Sequence, residues 1–102
     1  MSREFIENRI DTAHDMIDQG GFEEAVNLLK NLKLRIHEDA ASKEINEFEK
    51  NHDEMLRRRL NEIEATNKDP LVKAREENSQ WSSYAKSYLS FYSKVTRNFD
   101  VL

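Results

Sequence analysis

The chain has no cysteine, a single proline, two glycines and one tryptophan in 102 residues. Without cysteine, disulfides and thiolate metal sites are excluded, and nothing points to an oxidising compartment. So few glycines and prolines cannot supply the turns of a many-stranded sheet protein, whereas 35% charged and 37% apolar residues suit long solvated helices. The expected fold class is therefore all-α. Long apolar runs are missing too. None approaches the roughly 20 residues of a membrane span, and the opening MSREFIENRID has charges where a signal peptide has its apolar core. These absences lead to the expectation of a single cytoplasmic domain with no transmembrane segment. A formal net charge of −4 argues against nucleic acid as the default partner, because phosphate binding relies on clustered Lys and Arg.

What the chain does have is aromatic residues concentrated near its end. Leu71, Ala74, Asn78, Trp81, Ala85, Tyr88, Tyr92, Val95 and Phe99 follow one another in alternating steps of three and four, the spacing of one face of a helix. Tyr84, Leu89 and Phe91 lie beside that stripe and widen it beyond what one partner helix would cover. Pro70 to about Asn98 is thus expected to be a helix with a broad packing face. Asp69 is a suitable N-cap for it and Pro70 fits the first helical position.

Earlier in the chain, Phe5, Ile6, Ile10, Ala13, Met16 and Ile17 share a face of a helix over residues 3–18, for which Ser2 can act as N-cap. Gly20 and Gly21 stop it, since glycine enters the left-handed cap conformation without steric penalty. A second helix opens at Phe22, with Phe22, Ala25, Val26, Leu29, Leu32 and Ile36 as its apolar stripe and Asn27, Lys30, Asn31 and Arg35 toward water. The run Gln19-Gly20-Gly21-Phe22-Glu23-Glu24-Ala25-Val26-Asn27-Leu28-Leu29 resembles the turn and second helix of a tetratricopeptide repeat. That resemblance implies an antiparallel helical hairpin. No second copy follows, so the repeat's peptide-binding role is not carried over.

Neither glycine nor proline interrupts residues 37–69, so a single helix over 22–66 is the preferred reading. The stripe nevertheless changes phase between Ile36 and the set Ala41, Ile45, Phe48, His52, Leu56, Leu60 and Ile63. A break near Asp39 to Ser42 is the alternative. The architecture expected is an elongated bundle of three helices, or of four if the middle helix breaks. Helices only two layers thick would leave the aromatic face uncovered, so the bundle is expected to be completed by oligomerisation.

Little in the sequence points to chemistry. Asp11 precedes His14 and Glu49 precedes His52 by three residues, as in di-iron helical bundles, but no acid is expected to interrupt an apolar stripe, and no metal site is expected. His52 lies on the stripe as a buried or interfacial histidine. The glycine pair follows a helix and lacks the Lys-Ser/Thr sequel of a phosphate loop. Ser82, Ser83, Ser87, Ser90 and Ser93 read as small polar spacers. Residues 37–69 hold ten acids against six bases, and 70–102 hold five bases against three acids, which favours pairing of the two segments. Arg57-Arg58-Arg59 sits among Glu54, Glu62 and Glu64 and reads as a locally neutralised face.

The expected function is that of a non-enzymatic helical protein, without cofactor, binding another protein or itself as adaptor, regulator or assembly factor. The expected association face comprises Trp81, Tyr84, Tyr88, Phe91, Tyr92, Val95 and Phe99. A nucleic-acid-associated regulator using the basic aromatic C-terminal helix is the second reading, and peripheral membrane attachment the third.

Overall fold

Helix α1 spans Arg3–Asp18 and ends where the sequence runs out of side chains that favour its continuation. Gly20 adopts φ of +84°, and the amides of Gly20 and Gly21 bond back to the carbonyls of Ile17 (3.0 Å) and Met16 (2.8 Å). This pair of bonds is a Schellman cap, and it turns the chain straight into α2, Phe22–Asn31. Gly20→Ala is expected to cost about 1–2 kcal/mol through left-handed strain, measured by urea denaturation, although nothing crowds a Cβ there. An unchanged midpoint would show that the cap does not need glycine.

The structure, a computed structural model, describes residues 3–36 and 39–98. Among them it is all-α. The single helix expected over residues 22–66 does not form. After α2 the chain tightens into a 3₁₀ turn, Leu32–Arg35, then becomes extended at Ile36 (φ −106°, ψ 121°), and α3 begins anew at Asp39 and runs to Glu64. The break thus falls earlier than Asp39 to Ser42. Its cause is the phase shift: Ile36 and Ala41 are five residues apart and cannot share the face of one continuous helix. Breaking the helix buries both sets, with Leu32 and Ile36 at 3% and 5% exposure and Ala41 and Ile45 at zero.

Helix α4, Pro70–Asn98, is the element on which the other three pack. Its start is capped as expected: the Leu71 amide donates to Asp69 Oδ1 (2.8 Å) and the Lys73 amide to the Asp69 carbonyl (3.0 Å). Arg3, Glu7, Ile10 and Asp11 line a groove with Ser93, Thr96 and Arg97, which places the start of α1 beside the end of α4. Helix α3 runs antiparallel to α4, with Glu49 opposite Tyr92 and Arg59 opposite Gln80. Among the described residues four α-helices are arranged in this way, in a body of 49 × 27 × 15 Å. Ile6, Leu29, Ile45, Tyr88, Tyr92 and Val95 are its largest fully buried side chains.

Lengths dictate how that body ends. At 1.5 Å per residue, α1 reaches about 24 Å and α2 about 15 Å, whereas α4 extends about 43 Å. The α1–α2 hairpin therefore covers only the second part of α4. Beyond it, α3 and α4 continue as a two-helix arm, and no residue between Arg57 and Ser83 is buried.

Candidate functional site

Tyr84, Tyr88 and Tyr92 recur every four residues on α4, and Glu49 and Asp53 do the same on the antiparallel α3. Side chains four apart stack along one helix face, so the two series meet as a ladder. Tyr88 donates its hydroxyl to Asp53 Oδ1 at 2.8 Å, Tyr84 donates to the same oxygen, and Tyr92 donates to Glu49 Oε1 at 3.1 Å. From α2, Lys30 donates to Asp53 Oδ2 at 3.2 Å and lies 5.5 Å from the centre of the Tyr88 ring. One carboxylate thereby joins three helices.

The electrostatics follow from that geometry. Burial pushes the Asp53 carboxyl upward, but hydrogen bonds from Tyr84, Tyr88 and Lys30, with the Lys30 charge, outweigh it and hold the group below its ordinary value. Burial first, and then the hydrogen bond to Asp53, push Tyr84 and Tyr88 well above the ordinary tyrosine range; burial and the nearby Glu49 charge do the same for Tyr92. Near neutral pH the carboxylate stays ionised and the phenols stay protonated. In those states the cluster fastens helices together and offers neither a base of matched pKa nor a phenolate nucleophile.

Aromatic packing surrounds the ladder. Phe48 stacks between His52 (3.8 Å between ring centres) and Phe91 (3.9 Å) and meets Tyr88 edge-on at 5.0 Å. His52 is half-buried, with Nδ1 3.0 Å from the Phe48 carbonyl. Beside it a cavity of about 90 Å³, lined by His52, Leu56, Arg59, Gln80 and Ser83 among others, is far smaller than the several hundred Å³ of a usual small-molecule site.

The association face expected from the sequence is thus divided. Tyr84, Tyr88, Tyr92 and Val95 are 9%, 0%, 0% and 1% exposed against helices of their own chain, so they are unavailable to a partner. Trp81 and Phe91 are half-buried at the margin of the core, and Phe99 lies outside the described residues. Ser2 also falls outside them. Lys30, expected to face water, reaches inward to Asp53. Glu49 and Asp53 are the acids facing an apolar stripe that sequence reasoning passed over; the available signal was their four-residue spacing opposite the three tyrosines.

Elsewhere, His14, Asp15 and Asp18 bring three possible metal-ligating atoms within 4.8 Å of one another on an exposed turn, where His14 Nδ1 is 3.4 Å from Asp18. Arg57 and Arg58 are exposed on α3, as are Glu54, Glu62 and Glu64, and make no direct ion pair among the described residues. The most exposed large apolar side chains are Leu34 in the 3₁₀ turn, at 79%, and Leu71 at the start of α4, at 62%, followed by Val72 on α4 and Met55 on α3, each at 41%. Compared with known proteins, the chain matches no family model, no curated protein and no solved structure. No helix among the described residues is long and apolar enough to cross a membrane.

Proposed function

We propose that this chain is a non-enzymatic helical protein that acts through protein–protein interaction, as an adaptor, regulator or assembly factor, and that its docking element is the α3–α4 arm. The observation carrying this reading is the fate of the α4 stripe. Ala85, Tyr88, Tyr92 and Val95 are buried by the chain's own helices, whereas Leu71 and Ala74, on the same stripe, are exposed. A stripe that continues past its cover is a face for something outside the chain. The tip is also held in shape, by the Asp69 cap and by Lys73 Nζ bonding the Glu64 carbonyl at 3.1 Å. A preformed face of this kind loses little conformational entropy on binding.

The nucleic-acid reading is less well supported. Single-strand binders stack bases on exposed aromatic rings, and here Tyr84, Tyr88 and Tyr92 are buried with their hydroxyls engaged.

Site-specific photo-crosslinking in cells tests the proposal. A photoreactive phenylalanine analogue at Leu71 is expected to give an adduct, identified by mass spectrometry as a defined polypeptide. The same analogue at Ser90, exposed on α4 outside the arm, should give none. Adducts at Ser90 but not at Leu71 would place the docking face elsewhere.

A further inference from the structure

Two features of the sequence have no part in the core: the basic run Arg57-Arg58-Arg59 on α3 and the serines spread along α4. They meet at one place. On α3, His52, Leu56 and Arg59 follow in steps of four and three, and on α4, Gln80, Ser83 and Ser87 follow in steps of three and four, so each set shares one helix face. The helices are antiparallel, and the Arg59 guanidinium donates to Gln80 Oε1 at 3.2 Å. Counted from that contact, Ser83 comes level with Leu56 and Ser87 with His52. The two rows line the cavity of about 90 Å³ between α3 and α4.

The chemistry of that lining is one-sided. Arg59, Gln80, Ser83, Ser87 and His52 all bring hydrogen-bond donors to it, and no carboxylate among the described residues lines it. Arg59 makes no ion pair among the described residues. Because a guanidinium can only donate, Gln80 offers it the oxygen and keeps its NH₂ group to donate elsewhere. His52 is fixed by the same logic. The Phe48 carbonyl can only accept, so Nδ1 carries the proton of their 3.0 Å bond and Nε2 is left over, a donor once the ring is protonated. Asp53 is not part of the lining: Tyr84, which is, donates its hydroxyl to it, and Lys30 pairs its charge at 3.2 Å. Glu62 and Glu76 border the next groove outward, where Glu76 pairs with Lys68 and neither acid pairs with Arg59.

An unpaired cation among fixed neutral donors, in a space too small for a usual small-molecule ligand, suits a compact anion. We propose that this cavity binds a tetrahedral oxyanion of the phosphate or sulfate class, gripped by the Arg59 guanidinium and hydrogen-bonded by Gln80, Ser83, Ser87 and protonated His52. A space of about 90 Å³ admits a few water molecules, and the anion takes their place with its oxygens toward the donors. Guanidinium and oxyanion make charge-assisted, bidentate bonds, stronger than those between neutral groups. The site is open to water at Arg59 and Ser83, so affinity is modest, with Kd on the order of 1–10 mM. It lies at the base of the arm and is separate from the docking reading, which concerns the outer stripe.

Proton–nitrogen correlation spectra of the full chain test this, with sodium sulfate added at about pH 6.5 and constant ionic strength, chloride being the balancing anion. The expected result is a saturable shift of the Arg59 Nε–Hε signal, the Gln80 side-chain amide and the backbone amides of Ser83 and Ser87. Arg59→Gln is expected to weaken binding by about tenfold or more, and Ser83→Asp, which sets a carboxylate in the cavity, to abolish it. Both positions are exposed, so circular dichroism should show both variants folded. Arg57→Gln removes an exposed cation of the same run outside the cavity and should change affinity by less than about twofold. A neutral-capped phosphoserine tripeptide, titrated alongside, separates the sources of the anion. Tighter binding than sulfate assigns an ester carried on another molecule; equal or weaker binding assigns the free ion. Shifts that stay linear to about 50 mM, or equal losses from Arg57→Gln and Arg59→Gln, overturn the site.

Discussion

Tyr88→Ala is expected to lower the unfolding free energy by about 3–5 kcal/mol, whereas Tyr88→Phe should cost only about 1 kcal/mol. Tyr88 is fully buried, touches Phe48 edge-on at 5.0 Å and lies between Tyr84 and Tyr92 along α4. Truncation leaves a cavity that neighbours on three helices cannot close without moving together. Removing the hydroxyl alone leaves Asp53 with donors from Tyr84 and Lys30, so no buried charge is orphaned. Small domains have only about 5–15 kcal/mol of stability, so the alanine variant should be close to unfolded at ambient temperature. Trp81→Ala is the informative contrast. Its half-buried ring at the base of the arm should cost about 1–2 kcal/mol in the monomer and act mainly on association. Urea denaturation followed by circular dichroism distinguishes them, and equal losses for Trp81 and Tyr88 would contradict the division of the aromatic face into core and arm.

Stability should also fall on the alkaline side, more steeply than for a helical protein with exposed tyrosines. Tyr84, Tyr88 and Tyr92 all have their folded-state pKa raised above the ordinary value of about 10. A raised group contributes stability that is fully present below its unfolded pKa and is lost as pH climbs toward the folded one. Above about pH 10, unfolded chains release three phenolic protons that the folded protein retains, and the equilibrium moves toward unfolding. The acid limb has the opposite origin. Asp53 is lowered in the fold, so its contribution is present above about pH 4 and disappears as pH falls further. Asp53 is partly exposed and solvent screens its interactions, so the acid limb should be the smaller of the two. Phenolate absorbance followed against pH, with circular dichroism in parallel, checks the alkaline limb. Titration of all three tyrosines near pH 10 while the helices remain intact would refute the hydroxyl ladder.

Some of this was legible in the chain because it is written locally. The cap at Gly20 needs a residue that tolerates positive φ, and the start at Asp69-Pro70 needs an acceptor followed by a residue without an amide proton; both are decided within a few positions. The inward faces of α1 and α2 were likewise readable, with Ile6, Ala13, Ile17, Ala25, Val26 and Leu29 buried as their spacing implies. The Asp53 cluster was not readable in the same way. Lys30, Asp53, Tyr84 and Tyr88 lie on three helices, and single-sequence periodicity assigns Lys30 to water and leaves Asp53 unremarked, because it cannot say which polar group will face which across a helix interface. The break between α2 and α3 falls between these cases. Its phase shift is visible in the chain, but continuing or breaking the helix depends on the burial each alternative achieves.

By itself, then, the sequence determined that the protein is helical, where α1 stops, where α4 starts and that α4 carries one stripe along its length, since these follow from backbone chemistry and spacing within single segments. Only the tertiary structure decided which part of that stripe is core and which is surface. The decision rests on reach: once the chain breaks before α3, α1 and α2 are too short to cover α4, and they bury its stripe from Ala85 to Val95 while leaving Leu71 to Asn78 exposed.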